Sequence, residues 1–346
     1  MIIRSKAPLR LGFAGGGTDV EPFCNEYGGY VLNVTINMYA YTTLKPREDG
    51  KIIINSPDMG VHVEYDSLPY LPIDDVLPLH KGVYNRIVKD YNNGKPLSFE
   101  LTTYSDAPSG SGLGTSSTMV VSILKAFIEL LNIPLGEYDV ARLAYDIERK
   151  DLNFAGGSQD QYAAVFGGLN FMEFYDHHRV VVNPLRLKKW IKNEMENSIV
   201  LYYTGKSHDS AKIILEQKEA TKDKKSSNFE GLLKIKESAN KMKEKVLLGD
   251  FDGIGDLINE AWLAKKSTSS SVSNKELDNL YDYALSHGAE AARISGAGGG
   301  GVMMCWCKPE NRYTLAENLR SLNKGKVFYV DFVEKGVQTW CLYDED

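Results

Sequence analysis

The chain has 346 residues, of which 43% are hydrophobic and 25% are charged, proportions typical of a globular protein with one large domain or two fused lobes. Its net charge of −6 argues against a large basic surface and therefore against nucleic acid as a partner. There is no signal-peptide pattern and no run of roughly 18 apolar residues, so we expect a cytoplasmic protein without a membrane partner. The four cysteines lack C-x-x-C spacing and are predicted to be thiols of the core rather than zinc ligands.

The first half of the chain is predicted to contain mainly strands before residue 103 and mainly helices after it. Segments rich in β-branched residues and bounded by Gly, Pro or Asp favour strands. Such segments predict strands at 31–36, 40–44, 52–54, 97–103, 169–174 and 180–182, the last two paired with each other. Helices are predicted at 80–91, 115–131 and 137–150.

The second half is predicted to alternate helix and strand. Strands are expected at 198–203, 292–294, 302–307, 326–332 and 337–342. Helices are expected at 208–221, 228–248, 251–266, 275–287 and 309–322. The sum is an α+β protein of two lobes, with domains predicted at 1–185 and 186–346.

The segment from Asp106 to Ser117 is the most informative part of the sequence. Its glycines at 110, 112 and 114 let backbone amides turn inward, and a helix that starts after them adds unpaired N–H groups. Such a loop forms a cradle for anions, here for the phosphates of a nucleotide. The lysine of a P-loop and the glycine spacing of a dinucleotide fold are both absent. A flexible turn is the alternative, but the proline at 108 and the hydroxyl residues at 115–117 favour the nucleotide site.

Two further glycine-rich clusters flank this loop in the sequence. Four consecutive glycines between Ser295 and Gly301 indicate a close backbone approach, either as a second wall of the phosphate site or as a turn between strands. Near the N-terminus, Arg10 lies in an apolar strand and Asp19 follows three glycines. Arg10 would stabilise negative charge and Asp19 would bind a polyhydroxylated ligand. A surface salt bridge and a helix N-cap are the respective alternatives.

Two carboxylates in the middle of the chain are candidates for kinase chemistry. Asp160 follows a Gly-Gly turn at the start of a predicted helix, so its direction would be fixed and it would accept a proton from a substrate hydroxyl. Its alternative role is that of an N-cap. Glu148, on the preceding helix, would approach a Mg²⁺ ion or simply be solvated.

These clusters, in this order, resemble the GHMP kinase family, which includes galactokinase, homoserine kinase, mevalonate kinase and phosphomevalonate kinase. The loop from Pro108 to Ser116 resembles the family's Pro-x-x-x-Gly-Leu-x-Ser-Ser motif, with Thr115 for the first serine and Ser117 for the usual alanine. Ala7-Pro8-Leu9-Arg10 resembles the start of its N-terminal motif, and Gly296 to Gly301 resembles its glycine-rich C-terminal motif. The resemblance covers essentially the whole chain.

The resemblance implies a two-lobed α+β fold, with an N-terminal lobe like domain 2 of ribosomal protein S5 and a ferredoxin-like C-terminal lobe. It implies ATP and Mg²⁺ as cofactors, with Mg²⁺ held by Ser116 and Glu148. Asp160 would lie near the transferred phosphoryl group, paired with Arg10. The residues implied to bind the ATP phosphates are Pro108, Gly110, Ser111, Gly112, Leu113, Gly114, Thr115 and Ser116. Those implied to bind a sugar are Gly16, Gly17, Thr18, Asp19 and Gly298.

The sequence Ala-Gly-Gly-Gly-Thr-Asp at 14–19 departs from galactokinase and resembles two branches of the family, the bacterial heptose 7-phosphate kinases and the L-fucokinases. Both phosphorylate the anomeric hydroxyl of a sugar. The implied reaction is phosphorylation of the C1 hydroxyl of D-glycero-D-manno-heptose 7-phosphate. An L-fucokinase or other anomeric sugar kinase is the alternative, followed by a sugar- and ATP-binding sensor without catalysis.

The implied partners are a sugar phosphate and ATP, with the protein a monomer or homodimer. A sugar that already carries a phosphate needs a cationic receptor. Lys206, His208 and Arg293 are the candidates for this receptor, and each is equally well interpreted as a surface charge.

Overall fold

The computed structural model describes residues 1–206, 210–221 and 224–343. Its strands are β1 (Ile2–Ala14), β2 (Gly29–Pro46), β3 (Lys51–Ser56), β4 (Val61–Asp66), β5 (Phe99–Ser105), β6 (Leu169–Phe174), β7 (Val180–Pro184), β8 (Ile199–Tyr203), β9 (Ala291–Ile294), β10 (Val302–Trp306), β11 (Lys326–Phe328) and β12 (Gln338–Leu342). Its helices are α1 (Phe23–Tyr27), α2 (Pro78–Tyr91), α3 (Thr115–Leu131), α4 (Glu137–Asp146), α5 (Gln159–Phe166), α6 (Lys189–Asn197), α7 (Ser210–Ala220), α8 (Ser227–Leu248), α9 (Ile254–Thr268), α10 (Lys275–Ser286) and α11 (Arg312–Ser321).

Strands β1 and β2 form the centre of the larger sheet. The order of this sheet is β12-β1-β2-β5-β3-β4, and β6 and β7 extend it from the other end of β2. The 18 residues of β2 are enough to pair with β6 near its start and with β5 near its end. Helices α2 to α5 cover one face, where apolar side chains such as Val83, Phe99 and Phe127 form a core. The sheet therefore holds β1, which carries Arg10, between two hydrogen-bonded neighbours.

The smaller sheet is antiparallel, in the order β11-β8-β10-β9. Successive side chains of a strand point to opposite faces. Cys305 of β10 accordingly packs with Leu319 of α11, whereas Met304 joins a core that also contains Leu9 and Val34 of the larger sheet. Because burial of apolar surface is the main favourable term in folding, this shared core holds the two sheets together.

The structure confirms the α+β class and most of the predicted elements, with differences that have physical reasons. The predicted helix at 137–150 is α4 followed by a wider, π-helical turn over Ile147–Asp151, a local feature that a regular periodicity does not reveal. The predicted strand at 326–332 pairs only over Lys326–Phe328. Strand β4 and helix α6 were not predicted. Among the described residues, no helix is both long and apolar enough to cross a membrane.

The last strand returns to the larger sheet. Residues 338–342 pair antiparallel with residues 2–6 of β1, and an edge strand covers unpaired backbone groups that would otherwise be exposed. The division of the chain at residue 185 stays a prediction. Although β12 belongs to the second predicted domain, it forms its hydrogen bonds with β1 in the first half of the chain.

Candidate active site

The glycine-rich segments of the sequence meet at one cavity of about 560 Å³. Its walls come from the segment after β1, the loop before α3, the residues that lead into α5, helices α7 and α9, and the loop between β9 and β10. The cavity thus lies between the two halves of the chain, a frequent location for ligand sites.

The loop before α3 presents backbone amides to one end of this cavity. Gly110, Gly112 and Gly114 have φ angles of 74°, 81° and 78°, a region that favours glycine. Helix α3 begins at Thr115, and the first N–H groups of a helix have no acceptor within it. All four residues line the cavity together with Ser116. This end of the cavity therefore suits phosphate oxygens.

The glycine loop is in direct contact with the second glycine cluster. The Ser295 hydroxyl donates a hydrogen bond of 2.9 Å to the Gly112 carbonyl, and the Val302 amide donates one of 2.8 Å to the Ser111 carbonyl. A Cβ atom on Gly112 would lie 2.4 Å from the Ser295 carbonyl oxygen. Only a glycine permits this approach, so the two clusters form adjoining walls of the cavity.

Arg10 and Asp160 form a bidentate ion pair at the cavity. Arg10 Nε donates to Asp160 Oδ1 at 2.7 Å, and Arg10 Nη2 donates to Oδ2 at 3.0 Å. Arg10 Nη1 also donates to the Gly112 carbonyl, which ties the pair to the glycine loop. Arg10 is 5% exposed, so the guanidinium fork has little freedom to move. Each carboxylate oxygen of Asp160 retains a lone pair that a substrate hydroxyl can use.

Asp19 is buried at another wall of the same cavity. Its carboxylate accepts hydrogen bonds from the amide and the side chain of Gln159, both at 3.0 Å, and from the Gly17 amide at 3.2 Å. Burial raises the pKa of Asp19 because desolvation disfavours the charged form, although the backbone hydrogen bond from Gln159 opposes this. A Cβ atom on Gly157 would lie 1.9 Å from Asp19 Oδ2, so the glycine there permits the carboxylate's position.

Glu148 is buried in the π-helical turn beside the glycine loop. Ser117 Oγ donates to Glu148 Oε1 at 3.1 Å, Gln161 Nε2 donates to Oε2, and Arg149 Nη1 lies 3.5 Å from Oε1. Glu148, Ser116 and Ser117 all line the cavity, but the hydroxyl in contact with Glu148 is that of Ser117, and the side chain of Ser116 is exposed.

The surroundings of Glu148 fit a magnesium ion. Mg²⁺ is usually held by one or two carboxylates together with substrate phosphates, and Glu148 supplies one carboxylate next to the glycine loop. Gln161 Oε1 is buried without a hydrogen-bond partner in the described part of the chain, which leaves a further oxygen near this carboxylate. No group of three acidic, histidine or cysteine residues that could bind a metal occurs among the described residues, so substrate oxygens would complete the coordination.

Other predicted ligand residues have different surroundings. Gly16, Gly17 and Gly298 line the cavity. The Thr18 amide donates to the Gly15 carbonyl at 3.1 Å and the Thr18 hydroxyl donates to the Tyr30 carbonyl at 3.0 Å, so its polar groups stabilise the turn itself. Ser111 and Leu113 are buried beneath the glycine loop, and Pro108 is exposed where that loop begins.

Of the three cations predicted as receptors for a substrate phosphate, Arg293 is the one placed at the cavity. It is 4% exposed, and its Nη1 donates to the Phe13 carbonyl at 2.8 Å. Lys206 is exposed and pairs with Glu276 in the first turn of α10, and neither residue lines this cavity. His208 lies outside the described residues.

Sequence reasoning missed several polar residues that line the cavity or position its carboxylates. Lys265 Nζ donates to the Gly296 carbonyl, and Gln217 Nε2 donates to Thr268 Oγ1 at 3.0 Å. Both lie in helices with many charged residues, so nothing in their local patterns distinguishes them. Gln159 is different, because it directly precedes Asp160 in a segment already singled out.

The sequence and the fold match known proteins over nearly the whole chain. Residues 78–168 match the family model "GHMP kinases N terminal domain" and residues 242–325 match "GHMP kinases C terminal". The chain is 50% identical over 338 residues to D-glycero-alpha-D-manno-heptose 7-phosphate kinase from Campylobacter jejuni, which covers 98% of each protein.

Two solved structures are similar as well. One is described as a D-glycero-D-manno-heptose 1-phosphate kinase from Bacteroides thetaiotaomicron, with a TM-score of 0.84, 45% identity, and coverage of 99% of this chain and 100% of the other. The second is a putative sugar kinase from Campylobacter jejuni, with a TM-score of 0.79, 48% identity and coverage of 98% of each chain. Matches to both family models, together with a relative at half identity over nearly its full length, show that this chain belongs to the GHMP kinase family and is an ATP-using phosphotransferase.

Proposed function

We propose that this protein transfers the γ-phosphoryl group of ATP to the C1 hydroxyl of D-glycero-D-manno-heptose 7-phosphate, giving the 1,7-bisphosphate for nucleotide-activated heptose and surface glycans. The observation that carries the activity is the ion pair of Arg10 with Asp160, which lies on the same cavity as the glycine loop and Asp19. The choice of sugar is supported by the heptose 7-phosphate kinase that shares 50% of its residues over 98% of both chains.

In this proposal Asp160 receives the substrate hydroxyl. Its two oxygens are already oriented by Arg10, so a hydroxyl that donates to either oxygen is directed toward the phosphate end of the cavity. The bond from the sugar oxygen to the γ-phosphorus forms as the bond from that phosphorus to the leaving oxygen of ADP breaks. The hydroxyl proton passes to Asp160, and Arg10 stabilises the negative charge of the transferred group.

The glycine loop and the start of α3 would hold the ATP phosphates, through Gly110 to Ser116. Glu148, with Ser117 and Ser116 nearby, would hold Mg²⁺, which neutralises phosphate charge when it is bound. Asp19, oriented by Gln159 and Gly17, would accept hydrogen bonds from sugar hydroxyls. The loop residues Gly16, Gly17 and Gly298 would close around the sugar.

We propose that the protein acts as a monomer or a homodimer. Cys24, Cys305, Cys307 and Cys341 are free thiols, which fits the reducing cytoplasm in which we propose that the reaction takes place.

The test is an ADP-release assay with Mg-ATP and a panel of acceptors: heptose 7-phosphate, unphosphorylated heptose, mannose, L-fucose, galactose and mevalonate. We expect turnover with heptose 7-phosphate, and phosphorus NMR of the product should show the new phosphate coupled to the proton on C1. Asp160→Asn, for which we expect turnover lower by about 10²-fold or more, serves as the control for contaminating kinases. Preference for L-fucose would move the substrate to the alternative branch, and binding of ATP and sugar without any turnover would indicate a sensor.

A further inference from the structure

Two of the four basic side chains that line the cavity are almost fully buried and are not used in the proposed transfer step. Lys265 on α9 and Arg293 on β9 both line it, and they are only 3% and 4% exposed. Of the other two basic residues at the cavity, Arg10 is paired with Asp160, and Arg149 Nη1 lies 3.5 Å from Glu148 Oε1. In the part of the chain that the structure describes, no carboxylate lies within ion-pair distance of Lys265 or Arg293. Because burial of an unpaired charge costs free energy, these two side chains destabilise the fold unless an anion pairs with them.

Both side chains also have hydrogen-bond donors to spare. A lysine ammonium has three donors, and the Gly296 carbonyl accepts from one of them. Arg293 Nη1 donates to Phe13, whereas Arg293 Nε is buried with no hydrogen-bond partner among the described residues. Buried donors in native proteins are almost always paired, which points to an acceptor supplied from outside the chain.

The charges that face Lys265 favour an anion as that acceptor. Burial, followed by the positive charges of Arg293 and Arg10, lowers the pKa of Lys265 well below its ordinary value, while Asp19 and Asp160 oppose the shift. Burial and Arg10 together lower the pKa of Arg293 to about 10. Of the two carboxylates, Asp160 forms its ion pair with Arg10, and Asp19 accepts hydrogen bonds from the amides of Gln159 and Gly17. An anionic ligand would relieve the mutual repulsion of the three basic groups.

We propose that Lys265 and Arg293 form a phosphate subsite, contributed by the second half of the chain, that binds the oxygens of a phosphate group on a ligand in this cavity. The subsite deepens the proposed function and rests on it in part. The position of Lys265 is compatible with two sources of the phosphate. Its Nζ lies 3.9 Å from the position that a Cβ atom on Gly16 would occupy, and we propose that Gly16 binds the sugar. The carbonyl that accepts its hydrogen bond belongs to Gly296, which contacts Gly112 of the glycine loop. The phosphate is therefore either the one that the sugar brings or the terminal phosphate of the nucleotide.

Calorimetric titrations with matched ligands test the subsite and separate the two sources. The first pair is heptose 7-phosphate against unphosphorylated heptose, and the second is a non-hydrolysable ATP analogue against ADP. In one of the two pairs, we expect Lys265→Met to weaken binding of the ligand with the additional phosphate roughly tenfold or more, because a charge-assisted hydrogen bond is lost. The affinity for the ligand of that pair without this phosphate should stay within twofold. Lys265→Arg should restore much of the loss.

Lys266→Met is the control, since Lys266 is the next residue on α9 but pairs with Asp278 outside the cavity. Arg293→Gln provides a second test if Lys265→Met proves unstable. The proposal is overturned if both members of each pair weaken equally, which would indicate a structural role, or if no affinity changes in a folded variant. Failure of the wild-type protein to bind heptose 7-phosphate would instead refute the proposed substrate, and the nucleotide pair would still test the subsite.

Discussion

Arg10 and Asp160 are 150 residues apart in sequence and are joined by two hydrogen bonds of 2.7 and 3.0 Å. Arg10 belongs to a central strand of the larger sheet, and Asp160 belongs to the first turn of α5. Because the same guanidinium also donates to Gly112, the carboxylate, the strand and the glycine loop are held in one arrangement. The candidate site is thus organised by contacts between the protein's own side chains and backbone.

Replacing Asp160 with asparagine should remove the proton acceptor while preserving the size of the side chain. We expect Asp160→Asn to lower kcat by about 10²-fold or more, because general base catalysis typically contributes 10²- to 10⁴-fold. The Kd of the sugar, measured by calorimetry in the absence of ATP, should change little. A variant with full turnover and unchanged sugar binding would show that Asp160 has no part in the reaction.

Replacing Asp19 with asparagine should affect sugar binding more than turnover. Asparagine retains one oxygen for the Gln159 amide but loses the negative charge, so we expect the sugar KM to rise by about tenfold or more. Asp139→Asn is a matched control, since Asp139 caps α4 away from the cavity. An unchanged KM in steady-state kinetics would remove Asp19 from the sugar pocket.

The magnesium dependence of the rate should identify the residues that hold the ion. Glu148→Gln should raise the Mg²⁺ concentration needed for half the maximal rate by roughly tenfold or more, since a ligating oxygen becomes an amide. Comparison of Ser116→Ala with Ser117→Ala then tells which hydroxyl contributes, because only the Ser117 hydroxyl is bonded to Glu148. A Glu148→Gln curve identical to that of the wild type would contradict the assignment.

The contact between the two glycine clusters should be sensitive to a single methyl group. Gly112→Ala adds a Cβ atom 2.4 Å from the Ser295 carbonyl oxygen, at a φ of 81°. We expect the free energy of unfolding to fall by about 2 kcal/mol or more and the KM for ATP to rise. Gly136→Ala is the control, because Gly136 has a φ of −76° and the nearest atom to its added Cβ lies 3.5 Å away. Urea denaturation of both variants checks the difference, and equal stabilities would contradict it.

Stability should fall between pH 6.5 and pH 4 because of His80. This residue is buried against Thr103, and burial lowers its pKa from 6.5 to about 4. Above pH 6.5 neither state is protonated. As the pH falls toward 4 the unfolded chain takes up the proton first, which reduces the free energy of unfolding by up to about 3 kcal/mol. Urea titrations at each pH give the free energy of unfolding. His80→Gln should reduce its decline toward low pH, whereas His62→Gln, at an exposed position, should not. Equal slopes for the wild type and both variants would exclude His80 as the cause.

Several features of the fold and the site could be predicted from local sequence because they depend on local chemistry. Glycines at 110, 112 and 114 indicated a turn with inward amides, and the structure gives all three positive φ. The apolar segment after them predicted a helix near 115–131, where the structure has α3, since burial of one helical face leaves a clear periodicity. The wider, π-helical turn at Glu148 was not predictable in this way. The hydroxyl bonded to the Glu148 carboxylate is that of Ser117, whereas the sequence had indicated Ser116.

The sequence by itself determined the fold class, the family and the candidate residues Arg10, Asp19, Glu148 and Asp160, because glycine turns and the chemistry of their neighbours depend on residues close together in the chain. The tertiary structure alone decided which distant residues meet: the pairing of Arg10 with Asp160, the hold of Gln159 on Asp19, and the burial of Lys265 and Arg293 at the same cavity. The first two contacts arise because α5 packs on the larger sheet. The third arises because the smaller sheet and α9 pack on the larger sheet through a shared apolar core. That packing leaves no local pattern around a lysine in an otherwise ordinary helix.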